Sequence, residues 1–99
     1  MPIEVVNIRG VQERPGDVYI GRAGHGLSGK YGNPFTIGRH GSREQVIALF
    51  ERYLGQHPQL LADLRAENPR RLVCFCAPLA CHGDIYAKYL EPDGPPLGS

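Results

Sequence analysis

Ninety-nine residues bound one domain, and with 41% apolar residues the chain can bury a core while 13 glycines and 9 prolines demand much turn and loop. A formal net charge of +1 gives no electrostatic footprint of a strong nucleic-acid binder. Arg14, Arg22, Lys30, Arg39 and Arg43 leave the first half locally basic, which suits a local anion site rather than a DNA-tracking groove. No apolar run approaches the ~20 residues of a membrane span, so no membrane partner is expected. "MPIEVVN" lacks the basic start and apolar stretch of a signal peptide. Together with the odd count of 3 cysteines, this makes reduced thiols in a cytoplasmic protein the expectation.

"IEVVNI" (Ile3 to Ile8) is β-branched, short and bounded by Arg9-Gly10, and reads as a strand. "DVYIG" (Asp17 to Gly21) follows a Pro15-Gly16 turn and reads as a second. The glycine-laden stretch from Arg22 to Gly41 has no helical period, and a structureless stretch of this length is a candidate binding loop.

Ser42 opens the clearest helix, because "SREQ" has the capping-box form and Val46, Ala48, Leu49, Phe50, Tyr53 and Leu54 form a stripe ending at Gly55. "PQLLADLRAEN" is a second helix with Pro58 in its first turn. "RRLVCFC" (Arg70 to Cys76) is a strand buried on both faces, and "GDIYAKYLE" (Gly83 to Glu91) is the last helix. The order strand, strand, loop, helix, helix, strand, helix predicts a small α/β layered sheet, Rossmann-like or sandwich. Leu72–Cys76 would be its central strand, with helices on both faces. Residues 1–91 form the domain, and the Pro/Gly-rich 92–99 is expected to be a flexible tail.

The chemistry-bearing residues gather in "CFCAPLACHGD", Cys74 to Asp84. Ligands of open α/β sheets collect outside the carboxyl ends of strands, and a helix start adds free N–H groups. Cys81, and next Cys76, are therefore the candidate nucleophiles. A thiol at a helix N-terminus ionises readily, with His82 as base or thiolate partner. Asp84 caps the last helix or orients His82, and Cys74 is read as core. If a metal is bound, zinc is the one these donors suit, through Cys76, Cys81 and His82 with His25 or His40 completing the set. The spacing lacks paired C-x2-C knuckles, and otherwise His25, His40 and His57 are read as inert. A phosphate cradle of the cysteine-phosphatase or rhodanese kind would need an arginine six residues after the cysteine, where His82 stands.

In the glycine loop, Gly32 and Gly38 are read as positions of special backbone geometry. Asn33, held extended before Pro34, offers a donor and an acceptor, and Arg22 presents a planar fork suited to phosphate or carboxylate.

"VVN", "VYIGR", "YGNPFTIGRHGSREQVI" and "LVCFCAPLACHGD" together resemble the domain-of-unknown-function family 4326, from about Val5 to Tyr89. The resemblance implies a small domain of bacteriophage or bacterial genomes and brings no established reaction. The Cys–Cys-His ending is also similar to an uncharacterised α/β-sandwich family with a C…CHR word, although Gly83 stands where that family has arginine.

The functional expectation is a domain that binds or acts on a nucleotide-like or other anionic small molecule, enzyme or binder, through Cys81, His82 and Cys76. Arg22, Gly32, Asn33 and Asp84 would hold the ligand. The alternatives are a zinc-binding structural or regulatory protein and a non-catalytic phage-type interaction module whose partner is a protein or nucleic acid. Sequence does not fix the oligomeric state.

Overall fold

The computed structural model describes residues 3–10, 12–22, 29–75, 81–91 and 94–95. Three strands, β1 (Glu4–Asn7), β2 (Asp17–Tyr19) and β3 (Arg71–Cys74), form a parallel sheet in the order β1-β3-β2. Three helices complete the fold: α1 (Arg43–Gln56), α2 (Pro58–Ala66) and α3 (His82–Leu90). The element order and the central place of the Leu72-containing strand are those expected from the sequence. The strands are shorter, because Ile8–Gly10 winds into a 3-10 turn and β3 ends at Cys74.

Parallel pairing needs crossover connections, and the helices supply the one between β2 and β3. Ser42 caps α1 through the expected reciprocal pair, its Oγ accepting from the Gln45 N–H while Gln45 Oε1 accepts from the Ser42 N–H. Pro58 then begins α2 directly after the shared His57 boundary.

Register divides the sheet into two unlike faces. Val5 and Val18 flank Leu72, so with Cys74 they share one face, and Leu72, Cys74, Ile20, Phe50, Leu54, Leu61, Leu64, Ile85 and Tyr86 form one core. Full burial of each aliphatic or aromatic side chain here contributes roughly 1.5–3 kcal/mol relative to exposure. Val6, Val73, Tyr19, Arg71 and Phe75 alternate to the other face.

That second face corrects the expectation of helices on both sides. All three helices contribute to the core on the Leu72 face, whereas Val73's face is approached by the connection between β1 and β2, through Arg9 over the Phe75 ring and Gln12 O bonded to Arg71. The connection is pinned at its far end by ions. Arg71 grips Asp17 bidentately, Nε to Oδ1 and Nη2 to Oδ2 both at 2.7 Å, and also donates to Gln12 O at 2.9 Å. The pair is largely shielded from solvent, so removing one partner strands the other.

The hydrogen bond from Arg71 is the main cause that holds the Asp17 carboxyl below its ordinary value, with burial opposing it. A depressed folded value means that the pair's stabilisation is complete above the ordinary carboxylate value of about 3.9 and is lost as pH falls through the folded value. Asp17→Asn should therefore lower the thermal midpoint by several degrees at neutral pH. The gap from wild type should close below about pH 4. Midpoints that run parallel across the whole range would contradict this role.

Candidate functional site

The strands are parallel, so Asn7, Tyr19 and Cys74 all end at the same edge of the sheet, and α3 starts there. Cys81 is the N-cap of α3. Its Sγ accepts the Gly83 N–H at 3.3 Å, and Asp84 Oδ2 accepts the Cys81 N–H at 3.1 Å. Of the two roles weighed for Asp84, capping is the one seen. It also uses the donors and the dipole of this helix start internally, with a carboxylate already in the first turn.

The sulfur environment is dry. Cys81 is 4% exposed and Cys74 1%, and their Sγ atoms lie 3.6 Å apart. The contact with Cys74 and burial push the Cys81 thiol well above its ordinary value, with the Gly83 N–H opposing weakly. The direction is opposite to the easily ionised thiol expected from the helix start, because the Cys74 contact and then desolvation outweigh the one N–H from Gly83. Cys76 and His25 lie outside the described residues.

His82, 7% exposed, points its ring across to β2 and places Nε2 2.6 Å from Ile20 O. A carbonyl only accepts, so Nε2 carries the proton. Burial lowers the His82 value below that of an ordinary histidine. The Ile20 and Tyr31 carbonyls pull it up, Arg22 pushes it down, and burial prevails. The ring is a neutral strut between the start of α3 and the end of β2, packed edge-on against Phe50 and Tyr86.

The glycine loop does reach this edge. Gly32 sits so close to the end of β2 that a Cβ on it would lie 2.9 Å from Gly21 O and 3.2 Å from Gly29 O. Its requirement is space, whereas Gly38 is the one of the two with a left-handed backbone, φ +91°. Asn33 spends its carboxamide on the loop and on α1: Oδ1 accepts the Phe35 N–H at 2.9 Å and Nδ2 donates to Val46 O at 3.3 Å. Arg22, exposed at the end of β2, donates through Nη2 to Phe35 O and Thr36 Oγ1 and so ties the loop to the strand. Arg22, Gly32, Asn33, Cys81, His82 and Asp84 are thus brought to one end of the molecule, but the sulfur, imidazole and carboxamide are turned inward.

What faces outward was not anticipated. Phe75, immediately after β3, is 45% exposed, with Tyr19 edge-on at 6.1 Å and the Arg9 guanidinium 5.6 Å from its ring centre. Asn7 donates from Nδ2 to Phe75 O and accepts the Arg9 N–H, fixing both neighbours. The sequence signal for this cluster was slight: the Arg9-Gly10 break places an arginine just past β1, but an apolar "LVCFC" run does not say which residue leaves the strand.

Among the described residues no group of three or more His, Cys, Asp or Glu side chains is arranged to hold a metal ion. His40 is engaged elsewhere, its Nδ1 accepting the Thr36 N–H at 2.8 Å. No helix among the described residues is long and apolar enough to cross a membrane.

The family model described as "Domain of unknown function (DUF4326)" matches residues 3–92, and the chain belongs to that family. No curated protein and no solved structure matches it.

Two measurements check this geometry. Cys81 should alkylate with iodoacetamide at least about tenfold more slowly in the native protein than in the guanidinium-unfolded chain. Equal rates would restore it as an accessible nucleophile. Gly32→Ala should cost about 1–3 kcal/mol in urea unfolding, because the added methyl meets backbone rather than a yielding side chain. A neutral substitution would remove the close approach of loop and strand from the account.

Proposed function

We propose that this member of the domain-of-unknown-function family 4326 binds a nucleotide-like or other anionic small molecule at the carboxyl edge of its sheet. Phe75 and Tyr19 form the aromatic wall, and Arg22 and Arg9 supply the charge. The observation that carries the reading is Phe75: a large aromatic side chain left 45% exposed at the end of the central strand, between an arginine and a tyrosine. Parallel sheets receive ligands at this end. An exposed ring beside the Arg9 guanidinium suits a planar base linked to an anionic group.

The residues expected to do chemistry take supporting roles in this reading. His82 sets the distance between α3 and β2, Cys81 and Asp84 cap α3, and Gly32 and Asn33 shape the loop that Arg22 anchors. The raised thiol of Cys81 argues for binding rather than nucleophilic catalysis at that atom. The internally spent first turn of α3 leaves the anion to the arginines.

The test is calorimetric titration of the purified protein with ADP, GMP, CMP, UMP and inorganic phosphate. One nucleotide or more should bind. Phe75→Ala should weaken it about tenfold, the loss of ~1–3 kcal/mol expected for a base stacked on an aromatic ring. Arg22→Gln should weaken nucleotide and phosphate alike. Absence of binding to all five probes, or nucleotide binding indifferent to Phe75→Ala, would overturn the proposal.

A further inference from the structure

The two described thiols meet at the junction of β3 and α3. Cys74 closes the central strand, Cys81 caps the helix seven residues later, and their sulfur atoms touch at 3.6 Å within the core. We propose that Cys74 and Cys81 are a modification site: they form a reversible intramolecular disulfide in exchange with a small disulfide such as oxidised glutathione. This rests on the sulfur geometry and is independent of the ligand reading.

The two sulfurs are preorganised. A disulfide draws its sulfurs to about 2.05 Å, so the pair needs to close by about 1.5 Å, a shift within reach of side-chain rotation at a helix cap. The native fold has already brought both sulfurs together, and the ring to be closed is short. Cys81 Sγ is held by the Gly83 N–H, which keeps the sulfur at the mouth of the helix rather than rotated away. Little further ordering is required, so the equilibrium for joining these two sulfurs should be favourable relative to pairings that the fold must rearrange to make.

The reaction balances as two successive exchanges. The Cys81 thiol loses its proton and attacks one sulfur of oxidised glutathione, forming a mixed disulfide and releasing one glutathione thiolate, which takes that proton. The Cys74 thiol, likewise deprotonated, then attacks the Cys81 sulfur and releases the second glutathione. The two protein sulfurs are oxidised, the glutathione disulfide is reduced to two thiols, and no other reactant is needed. Burial governs the rate. The thiolate of Cys81 is disfavoured in place, so exchange proceeds through transient opening of the contact between the strand end and the helix start. Contact also confers selectivity, because Cys74 Sγ already lies 3.6 Å from the Cys81 sulfur that it must attack in the second exchange.

Incubation of the native protein in glutathione buffers of increasing oxidised fraction, followed by acid quench, alkylation and peptide mass spectrometry, tests this. The expected product has lost two hydrogens and yields a Cys74–Cys81 linked peptide. It should form equally in Cys76→Ser and revert on adding dithiothreitol. Cys81→Ser, which keeps a side-chain oxygen for the helix cap, should abolish it. Slow access is separated from unfavourable equilibrium by unfolding the chain in guanidinium and refolding it in the same buffers, where all thiols begin open. A Cys74–Cys81 bond below about a tenth of the chains by both routes, or linked peptides that always contain Cys76, would overturn the assignment.

Discussion

One buried imidazole joins the last helix of this small fold to the carboxyl edge of its sheet. The His82 ring leaves the first turn of α3 and bonds the Ile20 carbonyl at the end of β2, so helix and strand have a fixed separation. Gly83 lets α3 come that close, since a Cβ there would lie 2.8 Å from Ile20 Cδ1 and 2.9 Å from Val5 Cγ1. Gly32 brings the loop down on Gly21 just beyond, and Tyr31 stacks edge-on against Tyr86 behind it. A carbonyl at the end of a short strand needs a donor when it is buried, and His82 Nε2 supplies one. That bond acts with the close approaches of Gly32 and Gly83 and with the Arg22 ties to Phe35 and Thr36 to set the strand end, loop and helix start against one another.

The two described cysteines therefore have a structural reason to lie together. Cys74 needs to be small and apolar to sit in the core face of β3, and Cys81 needs to accept an N–H while being buried, which a thiol does at lower desolvation cost than a hydroxyl. The same packing that buries them places them in contact. Elsewhere the core keeps its polar atoms paired, with Tyr31 bonded to Glu67 and Tyr89 to Glu51. Among the described residues the Tyr86 hydroxyl is the buried side-chain atom that has no partner.

Much of the architecture was legible in the sequence, because it is written in local chemistry. A serine three residues before a glutamine, a proline at a helix start and a continuous apolar run each act over a few residues and survive tertiary context. Asp84 could be read as a cap for the same reason. The gathering of Arg22, Gly32, Asn33, Cys81, His82 and Asp84 at one end of the sheet was legible in the sequence, but the orientation of their side chains was not. Whether Cys81 meets solvent or core depends on how α3 lies over β1 and β3, and periodicity does not contain that information. Nor does an apolar run announce that β3 stops at Cys74 and releases Phe75 to the surface. The second face of the sheet, expected under helices, instead meets the β1–β2 connection clamped by Arg71 and Asp17, an ion pair between residues 54 apart in sequence.

The bond between α3 and the end of β2 depends on the state of His82, and nitrogen-15 NMR of the imidazole reports it directly. The prediction is a neutral ring with its proton on Nε2 at neutral pH, titrating below the ordinary histidine value of about 6.5. An imidazolium at neutral pH, or a ring protonated on Nδ1 with Nε2 free and titrating like an exposed histidine, would contradict it.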